Sequence, residues 1–176
     1  MRIETERLVI TEFTPDMAQA VHENSLDEDN RRFVPDEVFE TVEDAEETVA
    51  FLINQYGRTD GPLVYPVLLK NGGRNIGYVQ LVPLGGGSWE IGYHIAKAHT
   101  GRGYATEAVQ AFLPVIARAV GISEVQGVCL SGNAASRHVL QKCGFEPVFM
   151  GMGEYQGERR EIFRAVRQLP AEAGRS

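Results

Sequence analysis

The chain has 176 residues, which suits one domain able to bury a sizeable core without staples. Its 43% apolar and 23% charged residues are ordinary for a globular protein, and its two cysteines, Cys129 and Cys143, stand in no CxxC or CxxH spacing, so they read as buried thiols of a reducing cytosol rather than a disulfide or metal framework. The net charge of −7 is divided unevenly, with a balance of −11 over residues 1–61 and +4 over 62–176, which argues against a nucleic-acid binder with one broad basic face.

Met1–Glu12 alternate charged and apolar residues and lack the apolar stretch of a signal peptide. The run Arg7–Phe13 is β-branched and apolar and predicts a first strand. Thr14-Pro15-Asp16 then caps a short helix with Met17, Ala18 and Val21 on its apolar face. Residues 27–40 are highly charged, contain Pro35 and read as irregular. Thr41-Val-Glu-Asp44 resembles a capping box, and Ala45, Val49, Leu52, Ile53 and Tyr56 follow at helical spacing. Strands at Leu63–Lys70 and Ile76–Leu84 flank the hairpin signal Asn71-Gly72-Gly73. A turn at Gly85-Gly86-Gly87 leads into a strand over Ser88–Ile95.

The clearest helix covers 103–120, with Ala105, Ala108, Val109, Phe112, Leu113 and Ile116 on one face, a bend expected near Pro114, and Gly121 as terminator. A strand over Glu124–Leu130, a short helix over Ala134–Cys143 and strands over Phe145–Met150 and Glu158–Val166 complete the domain. The longest apolar run, near Ala111–Ala117, is too short to span a bilayer. These features predict an α/β (α+β) domain over residues 1–169, with a flexible tail over 170–176. A mixed, mostly antiparallel sheet of about seven strands carries helices on both faces. A cytoplasmic protein with no membrane or nucleic-acid partner is expected; monomer and homodimer both remain open.

Chemistry concentrates in residues 90–107. A strand runs through a loop into Gly101-Arg102-Gly103, and a long helix starts at once. Glycines let main-chain N–H groups turn inward, and a helix N-terminus adds unpaired N–H groups and partial positive charge. Together they form a receptacle for a phosphate or diphosphate. The P-loop pattern GxxxxGK[ST] is absent, and GxGxxG/A fails at Thr106. A second segment, Asn133-Ala-Ala-Ser136 through Gly144-Phe145, reads equally as an ordinary helix with Asn133 as N-cap and Gly144 just past its end. The acidic front of the chain suits a cationic substrate opposite an anionic cofactor, or simply a solvated surface.

The two segments together are similar to the GCN5-related N-acetyltransferase superfamily. Its (Q/R)-x-x-G-x-(G/A) signature is matched at Thr100-Gly101-Arg102-Gly103-Tyr104-Ala105, with Thr100 departing at the first position. Gly103–Ala108, Asn133–Phe145 and the opening Glu4-Thr-Glu-Arg-Leu8 resemble the ribosomal-protein N-terminal acetyltransferase (RimJ/RimL-like) branch, the opening departing at Thr11. The resemblance implies acetyl-CoA as cofactor and no metal. It implies that the strand before the loop splays from its parallel neighbour. Pantetheine would lie against the backbone of Ile95 and Ala96, with diphosphate on the amides of Gly101–Ala105 (Thr100, Arg102 and Tyr104 included) and Asn133 and Ser136 close to the carrier. The acceptor would be a peptide N-terminal α-amine or a small cationic amine. A non-catalytic acyl-CoA sensor is the alternative. Glu90 and His94, four apart on one strand and hence on one face, are candidates for base or water relay. Tyr155, expected in a glycine-bounded loop over 151–157, is a candidate proton donor to the leaving thiolate.

Overall fold

A computed structural model describes residues 1–170. The elements in chain order are β1 (Arg2–Glu4), β2 (Leu8–Thr11), α1 (Ala18–Ser25), α2 (Glu28–Phe33), α3 (Val42–Ile53), β3 (Leu63–Leu69), β4 (Asn75–Gly85), β5 (Ser88–Ile95), α4 (Tyr104–Val120), β6 (Glu124–Leu130), α5 (Ala134–Lys142), β7 (Glu146–Tyr155) and β8 (Glu158–Gln168). They form one eight-stranded sheet in the order β1-β2-β3-β4-β5-β6-β8-β7. Every neighbouring pair is antiparallel except β5–β6, which is parallel.

Period-two alternation distributes the core over both faces. On β3, Leu63, Tyr65 and Val67 join Val109, Phe112, Leu113 and Ile116 of α4. Val64 points the other way, to Ala18 of α1 and Ala45, Val49 and Leu52 of α3. Each large apolar side chain so buried contributes about 1.5–3 kcal/mol. The Thr41 half of the capping box forms: Thr41 Oγ1 accepts from the Asp44 N–H at 3.1 Å. α4 runs unbroken from Tyr104 to Val120, with Pro114 on its exposed side.

Three expectations need correction. The sheet has eight strands rather than about seven, because the three-residue edge strand β1 is too short for an alternation signal. Residues 27–40 are not wholly irregular. Asp27 Oδ1 accepts from the Asn30 N–H at 2.6 Å and caps α2, and the buried Asn30 donates to Ser25 O at 2.8 Å. Polar side chains thus supply the order that an apolar period usually supplies. Residues 151–155 are strand rather than loop: Gly151 and Gly153 pair with Ile162 and Arg160 of β8, and the turn lies beyond Tyr155. Of the tail expected over 170–176, residues 171–176 lie outside the described residues.

The feature that creates a site is the short contact between β5 and β6. They pair only at Glu90–Gln126 and Ile91–Gly127. Each then continues along its outer neighbour, β5 on β4 as far as Ile95 and β6 on β8 as far as Leu130, so the sheet opens into a V. Gly127 marks its vertex, where a Cβ would stand 2.4 Å from Leu140 Cδ2 of α5.

Candidate active site

The V opens into a cleft of about 1090 Å³ walled by β4, β5, β6, α2, α5, β7 and the start of α4. One end is the turn between β5 and α4. Gly101 and Gly103 take φ of +77° and +81°, left-handed values that cost other residues about 1–2 kcal/mol. The α4 N-terminus faces the same end, and His99 Nδ1 is buried there without a hydrogen-bond partner. A group rich in acceptor oxygens fits the main-chain N–H groups of this turn and helix start. Thr100 Oγ1 donates to Lys97 O at 2.9 Å, so its hydroxyl closes the turn internally. Ile95, Thr100, Gly101, Gly103, Tyr104 and Ala105 line the cleft; Arg102 and Ala96 do not. The Arg102 side chain is exposed, and the Ala96 N–H is bonded to Ile76 O at 2.8 Å.

The turn is clamped from behind. Arg7 donates to Arg102 O at 2.9 Å and stacks its guanidinium 4.4 Å from the Tyr104 ring centroid. Its Nε and Nη2 reach Glu107 Oε2 at 2.7 and 2.6 Å. Glu107 Oε1 also accepts from Thr5 Oγ1 at 2.6 Å and the Arg7 N–H at 3.0 Å. Burial raises the Glu107 pKa, but the bonds from Thr5 and Arg7 outweigh it and hold the carboxyl below its ordinary value. The opening Glu4-Thr-Glu-Arg-Leu8 motif is therefore the support of the glycine turn.

In the middle of the cleft Asn133 Oδ1 accepts from the Ser136 N–H at 3.2 Å, capping α5. The Tyr93 hydroxyl sits 2.9 Å from both the carbonyl and Oγ of Ser136, tying β5 to α5 across the opening. Lys97 and Lys142 add positive charge along this part.

The other end is acidic. Glu90 and His94 do share a face, as the strand spacing requires. Burial raises the Glu90 pKa to about 7, against a hydrogen bond from Gln126. Glu37, just after Pro35 in the charged segment, is also raised to about 7, first by burial and further by the charges of Asp36 and Glu90. Its Oε1 lies 3.5 Å from Gln80 Nε2, while its Oε2 is buried without a partner. His94 Nε2 lies 3.2 Å from Asn24 O and 3.7 Å from Asp27 Oδ2. Burial lowers its pKa, so the imidazole is neutral near pH 7 and ties β5 to the α1–α2 corner. The Tyr155 hydroxyl donates to Phe33 O, and burial followed by the Glu37 charge raises its pKa. Glu90, His94 and Tyr155 thus line one cleft, with the Tyr155 proton engaged by α2.

Sequence reasoning missed Glu37, Tyr93 and the Thr5–Arg7–Glu107 clamp. Glu37 had no signal, being one acid among many; Arg7 and Glu107 lay inside the motifs that carry the resemblance but with no geometry to join them. Among the described residues no group of three or more His, Cys, Asp and Glu could hold a metal ion. Cys129 and Cys143 are free and buried, and burial raises both thiols, Cys143 to about 11, which makes them poor nucleophiles.

Comparison with known proteins gives the same direction. The family model described as acetyltransferase (GNAT) domain matches residues 7–146. The uncharacterized N-acetyltransferase YnaD of Bacillus subtilis is 32% identical over 145 residues, 82% of each chain. A GNAT-family acetyltransferase from Bacillus anthracis superposes with a TM-score of 0.81 at 25% identity, over 96% of this chain and 98% of that one. RimL, a ribosomal L7/L12 α-N-protein acetyltransferase solved in complex with coenzyme A, gives 0.82 at 20% identity, over 98% and 100%.

Proposed function

The chain belongs to the GNAT acetyltransferase family and is an acetyl-CoA-dependent N-acetyltransferase; from that premise we propose that its acceptor is a primary α-amine at a peptide or protein N-terminus, with Glu37 and Glu90 preparing the amine. The observation that carries this reading is the pair of carboxyls raised to about 7 at the acidic end of a cleft whose other end is the glycine turn. An α-amine with a reference pKa near 8 is within reach of bases poised there, whereas a lysine near 10.4 is much harder to deprotonate.

Acetyl-CoA supplies an activated thioester. The chain's own residues do the rest. Main-chain N–H groups of Gly101–Ala105 hold the diphosphate. Between Gly92 and Ile95, the backbone groups on the β6 side lack a partner strand, and they would meet both the carrier's amides and the charge developing on the acyl oxygen. The amine proton passes to Glu90 or Glu37, directly or through water, and the free amine attacks the carbonyl as the C–S bond breaks. The second proton of the attacking nitrogen reaches the departing sulfur through water or through the Tyr155 hydroxyl, which is reprotonated in the same transfer. No acyl-enzyme is required, consistent with the raised thiols of Cys129 and Cys143.

A non-catalytic acyl-CoA sensor would have no use for two carboxyls poised near neutrality. Free buried cysteines favour a cytoplasmic location. No described helix is long and apolar enough to cross a membrane. The test is an acceptor screen with acetyl-CoA, following free thiol and product mass. Thiol release dependent on an α-amine is expected. Turnover confined to lysine side chains or to non-peptide amines would refute the acceptor assignment.

A further inference from the structure

A second chamber, of about 290 Å³, lies under the acidic end of the cleft between the sheet and helices α1 and α3. Glu37, Tyr78, Gln80 and His94 line both spaces and form the boundary between them. The chamber's remaining walls are mainly apolar, including Phe13, Val21, Phe39, Leu52 and Val64. An apolar cavity of ~150 Å³ holds a benzene ring, so this one has space for a branched aliphatic or aromatic side chain.

Most of its polar groups are paired with one another, but two buried polar atoms among its lining residues are not. Asn75 is only 8% exposed; its Oδ1 accepts from the Gly77 N–H at 3.1 Å, while its Nδ2 is buried with no partner. Glu37 Oε2, on the boundary with the cleft, is also without one. A buried N–H donor left unpaired is costly, and such a group is explained where a ligand's acceptor atom meets it. One unpaired donor and one unpaired carboxylate oxygen around an apolar hollow match an α-amine next to a carbonyl and an apolar side chain.

Resting on the acceptor reading above, we propose that this chamber receives the first side chain of the acceptor, and that the enzyme selects peptide N-termini beginning with an aliphatic or aromatic residue, Asn75 Nδ2 donating to the acceptor's first carbonyl. Side-chain selection then takes place on the α1–α3 side of the Tyr78–His94 wall, away from the acyl carrier.

The test compares kcat/KM for peptide amides that differ only in a first residue of Gly, Ser, Leu or Phe. Leu and Phe are expected to exceed Gly and Ser by at least about tenfold, since each methylene accommodated in such a pocket is worth about that factor or more. Thr48→Phe fills the chamber from α3 without touching the cleft. It should erase the preference while leaving the KM for acetyl-CoA and the Gly-peptide rate unchanged. Thr48→Leu, a smaller intrusion, serves if the Phe variant does not fold, and should abolish Phe before Leu. Asn75→Asp keeps the oxygen facing Gly77 and removes the donor. It should raise KM for peptides at least about fivefold more than for an amine lacking the carbonyl. Wild-type turnover that is flat across the four peptides, or a preference surviving in the folded Thr48 variants, overturns the chamber assignment alone. Failure to acetylate any α-amine overturns the acceptor reading and this one with it.

Discussion

Replacing Glu37 with Gln tests both the electrostatics and the chemistry of the acidic end. Burial lifts the Glu37 pKa from 4.5 to about 7, an unfavourable ionisation in the folded state. The sign is fixed by linkage. A carboxyl that binds its proton more tightly when folded contributes stability that is complete below about 4.5 and is lost as pH rises through about 7. A rise from 4.5 to about 7 corresponds to a ceiling of about 3 kcal/mol. Glu37 is half-buried, so solvent relaxation reduces this to roughly 1–2 kcal/mol. Gln is neutral, nearly isosteric and able to face Gln80. E37Q should therefore match the wild type well below pH 4.5, differ only slightly at pH 5, and be more stable at pH 8.5, by about 2–8 °C in Tm for a domain this size. Differential scanning calorimetry at the two pH values measures this. The same variant should lose about 10²–10⁴ in kcat if the carboxylate accepts the amine proton. A Tm difference equal at both pH values, or larger at pH 5, would refute the buried-carboxyl reasoning, and unchanged kcat would remove Glu37 from the proton path.

Turnover of the wild type should rise with pH through about 7, and in Glu90→Gln the inflection should move down, because the Glu90 charge helps raise Glu37; an unmoved inflection in the pH–rate profile counts against the coupling. Arg7→Ala should weaken coenzyme A binding by about tenfold or more in calorimetry, since charged hydrogen bonds of about 1.5–3 kcal/mol supporting the glycine turn are lost, while acceptor KM stays put. Gly127→Ala drives a methyl into Leu140 and should destabilise the fold by about 1–3 kcal/mol in urea unfolding; an unaffected midpoint would show that α5 can move away freely.

The elements with strong local signals were legible. The Thr41 cap, the Asn71-Gly72-Gly73 hairpin and the long apolar face of α4 each place their hydrogen bonds within a few residues, so a window of sequence contains the whole cause. The same holds for Gly101 and Gly103, whose backbone angles depend only on the turn they make. β1 and α2 escaped because their order comes from main-chain and polar side-chain bonds rather than from an apolar period: Ile3 and its neighbours pair with β2, and Asn30 is fixed by Ser25 and Glu37 carbonyls. Glu37 is the sharpest case. Nothing distinguishes it from Asp36 or Glu40 until folding buries it beside Gln80 and near Glu90. Its significance comes from neighbours more than forty positions away.

The shortness of the β5–β6 contact also bears on how long the protein lasts. Beyond Ile91 and Gly127 the facing edges of two central strands lack each other's main-chain bonds, so the middle of the sheet is its least reinforced part. A carrier that bridges those edges binds the native chain and not the unfolded one, adding ~2.7 kcal/mol at a hundredfold excess over Kd. Resistance to proteolysis and heat should then track the supply of coenzyme A, making the enzyme's lifetime a gauge of the metabolic state of its surroundings.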